Sequence, residues 1–279
     1  QDLILKINPP TEDEIEYMKP NTYLVSALQI NLRDKEYFLK LAEKKINAIA
    51  FEFIVDEYKQ LSLVRLIGEI AGTVSILYAS ELLALSNGLM LGGITGVRPT
   101  EVVILGAGIV GEFATKAAIG LGASVKVFDN NVSRLQRLQN NLGQRVWTSV
   151  IEPNILAKQL KTCEVAIGAL RNEIGRAPIV VTEEMVMNMR PGSIIIDVAV
   201  DRGGCFETTE LTNHEKPIVI KHDVIHYGVP NIPSGFARTA SQAISNVLMH
   251  LMVEIGDQGG LEEIIWHHVH LREGVYLYK

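Results

Sequence analysis

The chain has 279 residues, 47% of them apolar, and a formal net charge of −6, which gives room and material for one large or two ordinary domains and excludes a disordered chain. Its lysines and arginines are scattered rather than gathered into a stripe, so a nucleic acid finds no electrostatic footprint. The two cysteines, Cys163 and Cys205, are far apart and lack C-x-x-C spacing, which predicts free thiols in a reducing, cytoplasmic compartment rather than a disulfide framework or a zinc site.

Taken in chain order, strands and helices alternate, the pattern of a parallel sheet with helices on both faces. The start, QDLILKINPP, lacks the charged and apolar regions of a signal peptide. It opens directly on an apolar strand, like the remainder of a unit whose earlier strands are missing. A helix is expected around Glu12–Met18, then a strand TYLVSAL, a helix DKEYFLKLAEKK and a strand NAIAFEFI. A long helix follows, from about Leu66 to Leu85, with Ile67, Ile70, Val74 and Leu77 on its apolar stripe. Its position suggests a connector between two domains. The most apolar stretch, around 74–97, is broken by Glu81, Asn87 and several glycines and falls short of about 18 uninterrupted apolar residues, so no membrane span is expected.

Residues 102–129, VVILGAGIVGEFATKAAIGLGASVKVFD, then spell strand, glycine turn, amphipathic helix, strand and terminal carboxylate. This order is the dinucleotide-binding fingerprint of the Rossmann fold. Gly106 permits the tight turn, Gly108 lets the backbone approach a diphosphate, and Gly111 lets helix and strand pack closely. The N–H groups of the helix start, at Ile109, Val110 and Gly111, are offered to the phosphates. Asp129 ends the second strand, where a carboxylate can accept from the ribose hydroxyls and would repel a 2′-phosphate, so the pattern predicts NAD rather than NADP.

Beyond the fingerprint come a helix DNNVSRLQRLQNNLG, a short strand near Val146, a helix around Ile155–Leu160 and a strand EVAIGAL. A helix TEEMVMNM is started by Thr182, with Glu183 and Glu184 in its first turn. The run SIIIDVAV reads as a fully buried strand broken by Asp197; IVIKHDVIHYGV gives the last strands, and a long helix runs from about Thr239 to Ile255.

In open sheets of this kind ligands lie beyond the carboxyl ends of the strands, so three loops draw attention. Ile167, Gly168 and Ala169 end a strand, the last two with small side chains; they form either a plain strand end or a surface on which a nucleoside lies. Asp201, in DRGGCFETTE, is placed either as a cleft acid or base, or as a solvated loop aspartate. HYGVPNIPSGFARTAS is rigid with proline and glycine, and serves either as a domain-crossing hinge or as a loop over a nicotinamide ring with Asn231 and Ile232 at its crest. The adjacent histidines of WHHVH, 266–270, are not expected to gather on one metal ion.

Together VVILGAGIVG, the strand ending in Asp129, VTEEMVMNMRPGSIIIDVAVDRGGCFETTE and HYGVPNIPSGFARTAS resemble the family of alanine dehydrogenases and the NAD-binding subunit of pyridine nucleotide transhydrogenase. The DxGGCFET and VxNxP loops resemble the alanine dehydrogenase branch. The resemblance implies two Rossmann-like, doubly wound parallel-sheet α/β domains joined by long helices. Residues 1–65 and 239–279 would form a partial substrate domain, and 66–238 the NAD-binding domain with its leading linker helix. It implies diphosphate contact at Gly106–Gly111, ribose contact at Asp129, nicotinamide contacts near Ile167, Asn231 and Ile232, and Asp201 as catalytic aspartate. The implied reaction is reversible oxidative deamination of L-alanine to pyruvate and ammonia, by a homodimer or hexamer.

The chain departs from the family pattern at positions that carry chemistry. Asn8 stands where the family has a catalytic lysine, Gln29 aligns near its histidine, and Gly68 replaces a serine. Lys6, two residues before Asn8 on the same strand face, is a candidate substitute for the lost cation, and Arg202 stands where glutamine is usual. A transhydrogenase-type hydride-transfer subunit and a catalytically impaired NAD-binding homologue therefore remain as alternatives.

Overall fold

The computed structural model describes residues 3–30, 33–54, 62–172, 175–257 and 275–276. The chain divides into two compact units, Gln1–Leu66 with Ser241–Lys279, and Ile67–Ala240.

In the first unit β1 (Leu3–Lys6), β2 (Tyr23–Ser26) and β3 (Asn47–Ala50) pair in parallel, and Val275–Tyr276 adds antiparallel to β3. Helices α1 (Glu12–Tyr17) and α2 (Lys35–Glu43) make the crossovers. Helix α1 starts at a capping box in which Thr11 accepts from the Glu14 amide and Glu14 accepts from the Thr11 amide. Two orphan N–H groups are thereby satisfied at once. Ile15, Leu24, Leu28, Tyr37, Leu41 and Ile46 form the core of this unit. The expected strand NAIAFEFI stops at Ala50, and Phe51–Phe53 turn into a short 3₁₀ segment.

Helix α3 (Ser62–Asn87) is longer than its apolar stripe suggested. With a mean hydropathy of 1.4 in an 18-residue window of Leu63–Asn87 it is long and apolar enough to cross a membrane by composition, which the glycine-broken sequence did not suggest. Instead Val74, Ile76, Ala79 and Leu83 sit buried in the core of the second unit, the behaviour of a core helix.

The second unit is built on β4 (Glu101–Leu105), β5 (Ser124–Phe128), β6 (Trp147–Ser149), β7 (Val165–Gly168), β8 (Ile194–Asp197), β9 (Ile218–Lys221) and β10 (Val224–Tyr227). Their order across the sheet is β6-β5-β4-β7-β8-β10-β9, all parallel except β9. Between β9 and β10 only His222 and Asp223 intervene, both at positive φ, as a two-residue hairpin with the right-handed twist of its strands requires.

Helices α4 (Ile109–Gly120), α5 (Val132–Leu142), α6 (Pro153–Leu160) and α7 (Glu183–Met187) connect the parallel strands; α8 (Ala237–Asp257) follows the last strand. Alternate strand residues serve opposite faces: Val102, Ile104, Val125, Val127, Ile194 and Ile196 join α3, α4 and α5 in one core cluster. Val103, Leu105, Phe128, Ala166 and Ile195 join α6 and the segment around Val186 in the other. Burial on both faces is why these strands read as continuous apolar runs. At the amino ends of the strands, Arg98, Lys126 and Arg190 pair with Glu101 and Glu164.

From β4 the chain lays β5 and β6 to one side, then returns to place β7 on the other. The reversal opens a crevice at the carboxyl ends of β4 and β7, where ligands of such sheets bind.

Candidate functional site

The three glycines of the fingerprint do different work at that crevice. Gly106 has φ +115, and a β-carbon on it would lie 2.5 Å from the Ala169 carbonyl oxygen. The turn therefore needs glycine for its conformation and for the approach of the β7 end. A β-carbon on Gly111 would lie 1.8 Å from the Gly106 carbonyl oxygen, so helix and turn touch through backbone. Gly108, with φ −75 at the N-cap of α4, meets nothing within 4 Å. No side chain caps this helix; the first N–H groups of an α-helix have no intrahelical partner, and here they face an open cradle of the kind a diphosphate fills. Behind the turn, Gly72 of α3 makes a further close approach, its absent β-carbon falling 2.2 Å from the Val110 carbonyl oxygen. Gly68 faces Ile109 in the same way, at 3.1 Å.

Asp129 is buried, and its carboxylate is already bound to the turn. Oδ2 accepts from the Ala107 amide at 2.7 Å and Oδ1 from the Asn131 amide at 2.7 Å. Each oxygen keeps a second lone pair for a hydroxyl. Asp129 lines a cleft of about 320 Å³ with Asn131, Arg134, Ile151, Leu170 and Arg171, in the usual size range of small-ligand sites. Asn131 and Arg134 escaped the sequence reading. Asn131 caps α5 by accepting from the Arg134 amide, so the signal was the N-cap spacing after the strand that ends at Phe128.

At the end of β7 the small residues are used in packing. The missing side chain of Gly168 faces inward, where a β-carbon would meet Asp197 Oδ1 at 2.7 Å and Phe206 at 2.9 Å. Its smallness serves packing, as does the fully buried Ile167. Ala169 donates its amide to the Leu105 carbonyl at 2.8 Å and holds the strand end beside Gly106.

Asp197 organises the next loop. Its Oδ1 accepts from the Ala199 amide at 3.1 Å, and Oδ2 from the Cys205 amide and the Thr209 hydroxyl, both at 2.7 Å. Burial pushes this carboxyl above the usual range, and these hydrogen bonds pull it back. The loop so pinned carries Asp201 into a short 3₁₀ turn closed by Gly203 and Gly204, at φ +95 and +78. Water reaches Asp201, yet the surrounding protein desolvates its carboxyl enough to raise it above the usual range, with Arg202 and Arg171 opposing. A carboxyl displaced toward neutrality suits proton exchange.

In the third loop Asn231 is exposed and left-handed, at φ +51. Ile232 is not at a crest; at 2% exposure it is buried in the core with Tyr227 and Val229, because the 3₁₀ turn at Ile232–Phe236 folds it inward. Close by in sequence, His226 is buried and structural. Its Nδ1 lies 3.0 Å from the Val224 carbonyl, so Nδ1 carries the proton, and Nε2 accepts from the Thr208 hydroxyl at 2.8 Å. Cys163 and Cys205 are buried free thiols, and burial pushes Cys163 up to about 12, so neither is a ready nucleophile. WHHVH lies outside the described residues.

In the first unit Asn8 and Gln29 follow the carboxyl ends of the neighbouring strands β1 and β2, and both are exposed. Gln29 is left-handed at φ +51, held there by Glu52, which accepts from the Leu28 and Gln29 amides at 3.1 and 2.6 Å. Lys6 is engaged elsewhere, its Nζ 2.9 Å from Glu14 Oε1.

Two family descriptions cover the chain, alanine dehydrogenase/PNT N-terminal domain over residues 1–71 and C-terminal domain over residues 73–279. The chain belongs to the alanine dehydrogenase/PNT family. The alanine dehydrogenase of Methanococcus maripaludis is 37% identical over 268 residues, which are 95% of this chain and 72% of that protein. Alanine dehydrogenase 2 of Staphylococcus aureus is 36% identical over 262 residues, 92% of this chain and 70% of that protein. Among solved structures an L-alanine dehydrogenase aligns with TM-score 0.89 and 35% identity, over 99% of this chain and 76% of its own. A transhydrogenase from Sinorhizobium meliloti shares the fold, with TM-score 0.78 and 23% identity over 91% of this chain and 74% of its own. Membership of the alanine dehydrogenase/PNT family makes the chain an alanine dehydrogenase-like oxidoreductase with NAD as its coenzyme.

Proposed function

We propose that the chain carries out the reversible, NAD-linked oxidative deamination of a small 2-amino acid, L-alanine first among them, to its 2-keto acid and ammonia. The observation that carries this reading is the open backbone cradle at Gly108, with Asp129 bound to the same turn. When bound there, NAD supplies the hydride acceptor. The amides of Ile109, Val110 and Gly111 hold its diphosphate, the free lone pairs of Asp129 accept from the adenosine ribose, and Ala169 and Asn231 lie toward the nicotinamide. Asp201 stands on the substrate side, where its raised carboxyl holds the amine and exchanges its proton.

Asn8 and Gln29 stand at the family's lysine and histidine positions in this reading. Each offers an amide that donates and accepts hydrogen bonds but neither neutralises charge nor exchanges protons at neutral pH. That favours one competing reading, a homologue that binds NAD without turning substrate over. We place the protein in the cytoplasm as a homo-oligomer, a dimer or hexamer, in keeping with its buried free thiols and with the oligomers implied by the resemblance.

The test is NADH formation by the purified chain with NAD⁺ and a panel of 2-amino acids at alkaline pH, beside calorimetric titration with NAD⁺. Turnover with L-alanine that Asp201→Asn abolishes, at unchanged NAD⁺ affinity, is the expected result. Heat from NAD⁺ with no turnover on any amino acid decides for the non-catalytic homologue.

A further inference from the structure

The loop that carries Asn231 is supported from within by an aromatic side chain of α3. The ring of Tyr78 stacks on that of Tyr227, with centroids 4.9 Å apart and planes at 25°, and stands edge to face with Phe236 at 5.9 Å and 71°. Tyr227 is buried in the same core cluster as Val229 and Ile232, and Tyr78 packs against that cluster. Held by offset and edge contacts on two sides, the Tyr78 ring has a fixed place. Burial and the neighbouring Tyr78 keep the Tyr227 hydroxyl above the usual tyrosine range, so that phenol stays neutral in alkaline solution.

The Tyr78 hydroxyl ends against Gly235, where a β-carbon would lie 2.1 Å from Oη. Gly235 is not among the glycines of positive φ. It is therefore the approach of the hydroxyl, not a backbone conformation, that requires glycine at this position. The 3₁₀ turn at Ile232–Phe236 rests on that contact, and Asn231 is its N-cap residue, left-handed at φ +51. A left-handed residue other than glycine persists where its surroundings over-determine it. Here the Ser234 amide donates to the Asn231 carbonyl at 2.8 Å, and Ile232 and Pro233 are buried behind it. On the outer side His214 Nε2 lies 2.8 Å from Ser234 Oγ. Tyr78 is the support that comes from α3, and it belongs to none of the motifs that carry the family resemblance.

We infer that Tyr78 is a positioning residue for the nicotinamide half of the coenzyme: its stacked ring fixes the hydroxyl, the hydroxyl fixes the Gly235 turn, and the turn aims Asn231. This rests on the proposed function, in which Asn231 lies toward the nicotinamide. Tyr78 acts through Asn231 and the turn between them.

The experiment measures, by calorimetry on the full chain, the affinities for NAD⁺ and for ADP-ribose, which keeps the adenosine, both phosphates and the second ribose but lacks the nicotinamide. Gly235→Ala places a methyl group where the Tyr78 hydroxyl stands and should weaken NAD⁺ by about 3- to 10-fold, the loss of one neutral hydrogen bond, with ADP-ribose unchanged. Tyr78→Leu, which removes ring and hydroxyl without a clash, should shift the same ratio in the same direction and keeps the test open should Gly235→Ala not fold. Adding Tyr78→Phe to Gly235→Ala removes the obstructing oxygen and leaves the ring carbon Cζ 3.3 Å from the new methyl. The pair should recover most of the NAD⁺ affinity, a coupling that only residues in contact show. NAD⁺ and ADP-ribose weakened by the same factor, or neither weakened, overturns the inference, as does a double variant no better than Gly235→Ala. Wild-type protein that binds neither ligand overturns the proposed function itself, whereas one that binds ADP-ribose as tightly as NAD⁺ overturns the inference and leaves the diphosphate cradle standing.

Discussion

Replacing Gly108 and Gly111 separately by valine distinguishes a coenzyme cradle from a structural turn. At Gly108 the backbone is extended, with φ −75 and ψ −168, and a new β-carbon meets no atom within 4 Å. A poorer N-cap costs about 1 kcal/mol, and losing glycine's freedom in the unfolded chain returns about 0.4–1 kcal/mol. Stability is therefore expected to be nearly unchanged. The valine fills the space a diphosphate needs, and losing two hydrogen bonds to a charged group costs about 1.5–3 kcal/mol each, which weakens NAD⁺ by roughly 10²- to 10⁴-fold.

Gly111→Val should do the reverse of sparing the fold. Its first added carbon lies 1.8 Å from the Gly106 carbonyl oxygen, and overpacking of this kind costs about 1–3 kcal/mol or more. For a unit of this size each kcal/mol lowers Tm by about 2–4 °C. Thermal melts and NAD⁺ calorimetry on both variants check the pair. A Gly108→Val protein that melts like wild type and binds NAD⁺ equally well refutes the assignment of the diphosphate to this turn.

Asp129→Ala strands the Ala107 and Asn131 amides, at about 1–3 kcal/mol for each buried donor left unpaired; urea unfolding should show that loss together with loss of NAD⁺ binding, whereas Asp129→Asn should keep part of the stability. Gly72→Ala forces α3 away from the first turn of α4, where the Val110 carbonyl would be 2.2 Å from the new carbon, and is expected to lower both Tm and NAD⁺ affinity. The fold should also weaken in mild acid through His226, whose burial holds its pKa below the ordinary value. As pH falls through about 6.5 the unfolded chain takes up the proton first, so stability is full above that value and declines below it. Urea midpoints measured from pH 8 to pH 5 should fall less steeply in His226→Gln, and an identical slope in the two proteins would rule out this histidine as the cause.

What the sequence by itself determined is whatever depends on local spacing. The strand, turn, helix and carboxylate of residues 102–129, the alternation of elements and the N-cap at Thr182 follow from chirality, hydrophobic period and backbone demand over a few residues, and Gly106, Gly108 and Gly111 could be given distinct tasks before any fold was known. Tertiary structure decided which way the same small or apolar residues point. Gly168 turns toward Asp197 and Phe206 across two strands, and Ile232 enters the core because its loop coils into a 3₁₀ turn. Asp197 anchors a loop through donors up to 12 residues away, and Arg202 ends with a buried donor that meets no acceptor among the described residues. Those outcomes rest on contacts between segments far apart in the chain, whose closeness is set by the packing of whole strands and helices and leaves no periodic mark on the sequence.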